Sequence, residues 1–451
     1  MTRARVPGVA LAFVIALASQ ARTARAAGAL ETMAPAVAKG LDPVPPGAVV
    51  VASALVTDHP APKGDELAAR VAALVAGSLG GTTRAHPQPA PLSVARAVTG
   101  RAGALVYVQV EIAKGELRVT ADVYPVMSNG WDRIRAPAPP PRAHAFVAVP
   151  VDAEVRTFLP ALTLERAEVH KASHDEGEVL AAACGDVDGD GGMELLLVSR
   201  GRVALGRIVA GKFAPVRVLP WASLAPRASV PLREPIGSAV IDGPPDGDAR
   251  DRSRVLRVGT SDRAGVALDA SLDARARVIL RGMPVAMGER GEGCLALVPE
   301  QSAFEGDVVR CSASARDASP LATPPASRFD AVAFEDLVAR SGRTTRASAA
   351  HEPAGKLRVR LGDASLVMDG AGAQLALADL DQDGELEVVT SAPSGGDDAI
   401  TVSSWDGAGE PRARLRIPAP AGVRALAVCP PEEHGAPALI GVVGSEVWIV
   451  R

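Results

Sequence analysis

The sequence predicts a small α/β domain followed by an all-β propeller of five to seven blades, with six favoured. Three observations carry that expectation. The first third of the chain holds helix-period stretches and two alternating strands. The remainder reads as short strands between turn-rich loops. Within that remainder a strand–loop–strand unit recurs, with unit starts roughly 50–60 residues apart, the length of a four-stranded blade. At 451 residues the chain is too long for one ordinary core. A hydrophobic content of 47% supports globular folding. The net charge of −4 argues against a nucleic-acid binder, which carries a basic patch. Aromatic residues are scarce at 3%, which argues against a stacking platform for bases or sugars.

Residues 1–26 read as an export signal. Arg3 and Arg5 supply positive charge, residues 9–18 an apolar run, and Ala24-Arg25-Ala26 a small-residue cleavage site. The apolar run falls short of the about 20 residues a spanning helix needs, so no stable membrane insertion is expected after cleavage. The expected location is the periplasm or the exterior, where disulfides form. Cys294 and Cys311 are the favoured pair, because their runs read as adjacent strands. Cys184 and Cys429 sit at similar places in the first and last units. Their pairing would staple the ring closed; two buried thiols held apart by strand geometry is the alternative.

Residues 27–160 are assigned to the α/β domain. A strand is expected at 48–55, a helix at 65–79 with Leu67, Val71, Leu74, Val75 and Leu79 on one face, and a short helix at 93–99. Alternating strands at 105–112 and 117–124 form a hairpin, Pro137 to Pro141 is a stiff edge, and 145–159 completes the domain. Residues 161–451 are assigned to the propeller. Its last unit runs out of chain after about two strands, and the run 164–171 is the candidate to complete it.

Two acidic loops dominate this second part. Asp186, Asp188, Asp190 and Glu194 occupy positions 1, 3, 5 and 9 of residues 186–194. Asp379, Asp381, Asp383 and Glu387 occupy the same positions of 379–387, and Gly191 and Gly384 stand at position 6. Such a density of carboxylates repels itself unless a hard cation neutralises it. With a backbone carbonyl from Gly192 or Glu385 at position 7, each loop offers the oxygen cage that Ca²⁺ accepts, giving two expected Ca²⁺ sites. An EF-hand needs a Glu at position 12 between helices. Leu197 and Thr390 stand there, between strands. Units starting at Ser238, Cys294, Phe329 and Arg424 read as further copies without the cage; near Asp242, Asp246 and Asp248 the alternate spacing is lost.

The pattern strand, Asp-x-Asp-x-Asp-Gly-x-x-Glu, strand resembles the FG-GAP/VCBS repeat of integrin-like β-propellers. That resemblance implies a Ca²⁺-holding loop between the first two strands of a blade, and a role in protein or glycan binding. The order β-α-α-β-β before a propeller resembles the periplasmic TolB architecture, which implies the alternative of an envelope scaffold bridging partners. No Gly-x-Ser-x-Gly elbow, phosphate-binding Gly-rich loop or Cys-x-x-Cys pair occurs. His170 and His174 have H-x₃-H spacing but fall in a strand and the loop after it. A non-enzymatic binding protein is therefore expected, ahead of an exported hydrolase or lyase carrying a propeller.

Overall fold

The computed structural model describes residues 28–57, 61–100, 102–113, 115–126, 131, 139–190, 192–226, 234–242, 255–287, 292–296, 303–311, 320–339, 343–393, 397–431 and 436–451. The expected export signal, Gly191, Asp246 and Asp248 lie outside them.

The N-terminal part is a six-stranded sheet. Strand Val49–Ala52 lies between Arg84–Ala85 and Ala104–Ala113, parallel to both. Ala104–Ala113 then forms the expected hairpin with Glu116–Pro125, and Ala143–Pro150 adds antiparallel beyond it. Val56–Thr57 also pairs with Ala104–Ala113. Period-two alternation sorts the side chains. Val106, Val108, Val110, Val119 and Ala121 face helices Ala29–Leu41 and Gly64–Leu79, while Leu105, Tyr107 and Tyr124 pack on Ala90 and Ala95. The second of these helices matches the expectation, as does a short helix at Leu92–Val98.

Helix Ala29–Leu41 was not foreseen. Pro35 lies within it, a residue that costs an isolated helix interior about 3 kcal/mol. Tertiary burial of Leu30, Met33, Val37 and Leu41 overrides that local signal.

Among the described residues from 169 onward the structure is β apart from one short helical turn, Trp221–Leu224, and its sheets are arranged like the blades of a propeller. Four sheets are four-stranded meanders whose first strands are Gly237–Asp242, Gly282–Ala286, Ala331–Val338 and Leu375–Ala378. A further sheet of eight strands contains two more sets, opening with Val179–Gly185 and Val423–Cys429. These first strands line one central channel of about 720 Å³. Each contributes a small residue to it: Ala181, Ala239, Ala286, Ala333, Ala376 and Ala425. Small side chains let the strands converge on the axis.

Two expectations shift here. The strand completing the last set is Val169–Ser173, antiparallel to Glu446–Val450 with Lys171 opposite Trp448, rather than the whole run 164–171. Leu164–Arg166 turns as a 3₁₀ helix instead, because Leu164 and Ala167 are drawn into the core of the last sheets. The ladder begins only where Glu168 and Arg451 exchange backbone hydrogen bonds, at 2.7 and 3.1 Å. Second, the Cys294 run is the second strand of its set, Glu292–Ala296, paired with Gly282–Ala286. The short Gly282-Met-Pro-Val-Ala286 stretch has the composition of a turn and conceals the first strand.

Both disulfides form. Cys294–Cys311 joins adjacent strands, with Cα atoms 4.9 Å apart. Cys184–Cys429 joins the first strands of the first and last sets, with Cα atoms 4.8 Å apart, so strand geometry does not hold them apart. Because it spans 245 residues, the chain-entropy view assigns it about 5 kcal/mol.

Candidate metal centre

Each acidic loop joins the first strand of its set to the second, Val179–Gly185 to Glu194–Ser199 and Leu375–Ala378 to Leu386–Thr390. Backbone amides pin the carboxylates. In the first loop Asp186 accepts from Gly189 N at 2.7 Å, and Glu194 accepts from Val187 N at 2.7 Å. In the second, Asp379 accepts from Asp383 N at 2.8 Å and Gly384 N at 3.0 Å, while Glu387 accepts from Leu380 N at 2.7 Å. The bond from position 9 to the amide of position 2 is thus common to both. Oxygen atoms of Asp186, Asp188 and Glu194 lie within 4.8 Å of one another, and so do those of Asp379, Asp381 and Glu387. Positions 1, 3 and 9 converge as a group that can hold a metal ion.

Asp190 and Asp383, at position 5, lie outside these side-chain groups. Asp190 turns to Arg207, 2.8 Å from its Nη1, and accepts from Gly192 N at 2.8 Å. Asp383 accepts from Glu385 N at 2.8 Å, and the Glu385 carboxylate pairs with Arg412 at 3.4 Å. In the degenerate copy Asp242 pairs with Arg257, and the next strand opens with Val255 and Leu256, where the intact copies place Glu194 and Glu387. His170 is exposed beside Glu168, and His174 is buried with its Nδ1 accepting from Glu176 N at 3.3 Å. Among the described residues neither histidine joins a metal-sized cluster.

The two centres differ in how their charge is balanced. In the first, Arg207 from strand Arg202–Val209 reaches Asp188 at 3.0 Å, Asp190 and Glu194. Those hydrogen bonds, Asp190 first, hold the Arg207 guanidinium more firmly protonated than usual. Asp188 keeps 59% of its side chain exposed, so water screens much of this balance.

The second centre is buried. Asp381 is 3% and Glu387 0% exposed. Across the ladder from Glu387 stands Ser404, whose hydroxyl donates to Glu387 at 2.6 Å. Arg414 approaches from the next strand, meeting Asp381 Oδ2 at 3.0 Å, Ser404 at 3.0 Å and Glu165. Arg414 thus pairs with Asp381 and Glu165, and the Arg156 guanidinium lies within electrostatic reach of Asp379. Asp381 Oδ1 is buried without a hydrogen-bond partner among the described residues. Burial raises the pKa of Asp379 to about 7 and of Glu387 to about 9, and raises that of Asp381 as well, with the neighbouring carboxylates adding to each. A buried carboxylate oxygen without a partner is costly, and a cation at this point removes the cost. The all-oxygen donor set fits a hard divalent ion. Arg207, Ser404 and Arg414 were not singled out in the sequence, since only strand pairing brings them to the loops.

No family model and no curated protein matches the chain. Among solved structures it is similar to AofleA from Arthrobotrys oligospora, at 12% identity over 63% of this chain and 86% of that one, with a TM-score of 0.38. It is similar to TolB from Acinetobacter baumannii at 11% identity, over 91% and 95%, with a TM-score of 0.29. The Dos1 propeller gives 12% identity, 77% and 78% coverage, and a TM-score of 0.31. Likenesses of this size carry no inference about activity or ligand.

Two outcomes follow from the charge balance. Replacing Arg207 with Ser, the residue type across from Glu387, removes an internal competitor and raises divalent-cation affinity at the first loop by about tenfold, read by calorimetry. The second concerns pH. Asp379 and Glu387 ionise near pH 4 in the unfolded chain but near 7 and 9 when folded. Because the folded values are raised, the stability they contribute is full below about pH 4 and is lost as pH rises through about 7 and 9. Metal-free protein therefore melts at progressively lower temperature across that window, and a saturating divalent cation flattens the slope.

Proposed function

We propose that this chain is an exported, non-enzymatic binding protein built on a six-bladed FG-GAP/VCBS-like propeller. Two loops hold Ca²⁺, and the surface loops take a protein or glycan partner outside the cytoplasm. The observation that carries the metal reading is the convergence of Asp379, Asp381 and Glu387 in a buried site where Asp381 Oδ1 lacks a partner. Carboxylate oxygens without histidine or cysteine favour Ca²⁺ over a transition metal. Counting Val169–Ser173 as the fourth strand of the set that opens with Val423–Cys429 divides the eight-stranded sheet into two blades and makes six in all. Two disulfides suit an oxidising compartment.

The cages act as staples: each pins the turn between the first two strands of its blade, and the surface loops are left for recognition. The second reading, an envelope scaffold of the TolB kind, is favoured by one observation. A mixed sheet carrying two helices precedes the propeller in the chain.

Calcium at 100 times its Kd stabilises a protein that binds it only when folded by about 2.7 kcal/mol. Chelation accordingly lowers the melting temperature, and Asp381→Asn removes most of that response; identical melts with chelator and with Ca²⁺ rule the cage out. Partner class is read by affinity capture with the full chain. Retention of an extracellular protein or glycan, weakened by chelation, supports the binding protein, whereas retention of a cell-envelope complex supports the scaffold.

A further inference from the structure

Position 4 of both acidic loops turns through the left-handed region, with φ +76° at Gly189 and +54° at Gln382. Glycine adopts that conformation freely, whereas a residue with a Cβ is disfavoured there. Gln382 is nonetheless 5% exposed, and both ends of its amide are engaged outside the loop. Its Oε1 accepts from Arg156 Nε at 2.9 Å and also from Arg156 Nη2, and its Nε2 donates to Val151 O at 3.0 Å.

Val151 and Arg156 belong to a hydrogen-bonded turn packed on the N-terminal part. Asp152 caps the turn Ala153–Arg156 by accepting from Val155 N at 3.0 Å, and its other oxygen accepts from Ala29 N at 2.7 Å. Val151, Ala153 and Val155 are buried, Val151 and Val155 within the core formed with helix Ala29–Leu41. On the other side of the loop, Asp381 meets Arg414, which in turn holds Glu165. Residues 381 and 382 therefore grip both ends of the segment that connects the N-terminal sheet to the β region. Phe158 and Leu159 within that segment pack on the N-terminal core, and Leu164 packs on the last sheets.

We propose that the loop 379–387 is a metal-dependent latch that fixes the N-terminal part against the propeller-like part. This rests on the calcium reading above. Gln382 follows directly on the ligand Asp381, so wrapping Asp379, Asp381 and Glu387 around a cation holds its backbone in the left-handed turn that aims its side chain at Arg156. Without the cation, the crowded carboxylates favour loosening of the loop, and Gln382 loses its aim. Arg156 grips the neutral Gln382 amide and also lies within electrostatic reach of Asp379, so it belongs to the charge balance of the cage as well as to the joint. By linkage, docking and metal binding strengthen one another.

The test uses the full chain, with trypsin cleavage after the exposed Arg166 as the measure of docking and calorimetry as the measure of Ca²⁺ binding. Ca²⁺ slows that cleavage by about tenfold relative to chelator, the scale on which local opening responds to a few hydrogen bonds. Gln382→Gly keeps the favoured backbone and the ligands. It binds Ca²⁺ about tenfold more weakly than the parent, the same factor by which Ca²⁺ protects the parent, as reciprocity requires, and is cleaved fast in either condition. Arg156→Ala, which leaves the loop's own sequence unchanged, is likewise cleaved fast in either condition and guards against a folding defect in the first variant. If Ca²⁺ binds but cleavage is unchanged, or Gln382→Gly retains Ca²⁺-dependent protection, the latch is overturned while the calcium reading stands. If no Ca²⁺ binds, both are overturned.

Discussion

A sheet arranged around an axis is stable only if its last member finds a neighbour, and in this protein that neighbour comes from the start of the β region. Val169–Ser173 lies antiparallel on Glu446–Val450, so the two ends of the region share one ladder. Cys184–Cys429 ties the corresponding innermost strands. Without this closure, Glu446–Val450 would expose a row of unpaired backbone groups, and the buried faces around Ile440, Val442 and Val447 would lose their cover. The positions of the acidic loops depend on the same closure. Each loop lies at a fixed turn within its set, and each set is held by its neighbours.

Within that frame the two acidic loops have diverged. The first balances its charge internally through Arg207, at a partly exposed site where water screens the remainder. The second has Ser404 across from Glu387, shares Arg414 with Glu165 and has Arg156 near Asp379, and burial raises the pKa of its carboxylates. It also carries Gln382 at position 4, where the first loop has Gly189, and the Gln382 side chain reaches the N-terminal part. One repeated motif thus stands in two environments, one partly exposed and one buried against Val151 and Arg156.

Much of the fold was legible in the residues. Alternation located the hairpin now seen as Ala104–Ala113 and Glu116–Pro125, because one face of that sheet is covered by helices and a slip of one residue would expose it. Helix Gly64–Leu79 was legible for the same reason at period 3.6. Helix Ala29–Leu41 and strand Gly282–Ala286 were not, since Pro35 and Pro284 contradict locally what burial imposes globally.

By itself, the sequence determined the pattern of carboxylates at positions 1, 3, 5 and 9, because ligand spacing along a turn is a local property of the chain. It also determined that strands enter and leave each loop. Only the tertiary structure decided that positions 1, 3 and 9 converge while Asp190 turns away, that Arg207, Arg414 and Arg156 approach the carboxylates, and that Gln382 meets Arg156. Those partners are separated in sequence by between 13 residues, for Arg207 and Glu194, and 226 residues, for Arg156 and Gln382. Which of them meet depends on strand register and ring closure, and no local spacing encodes either.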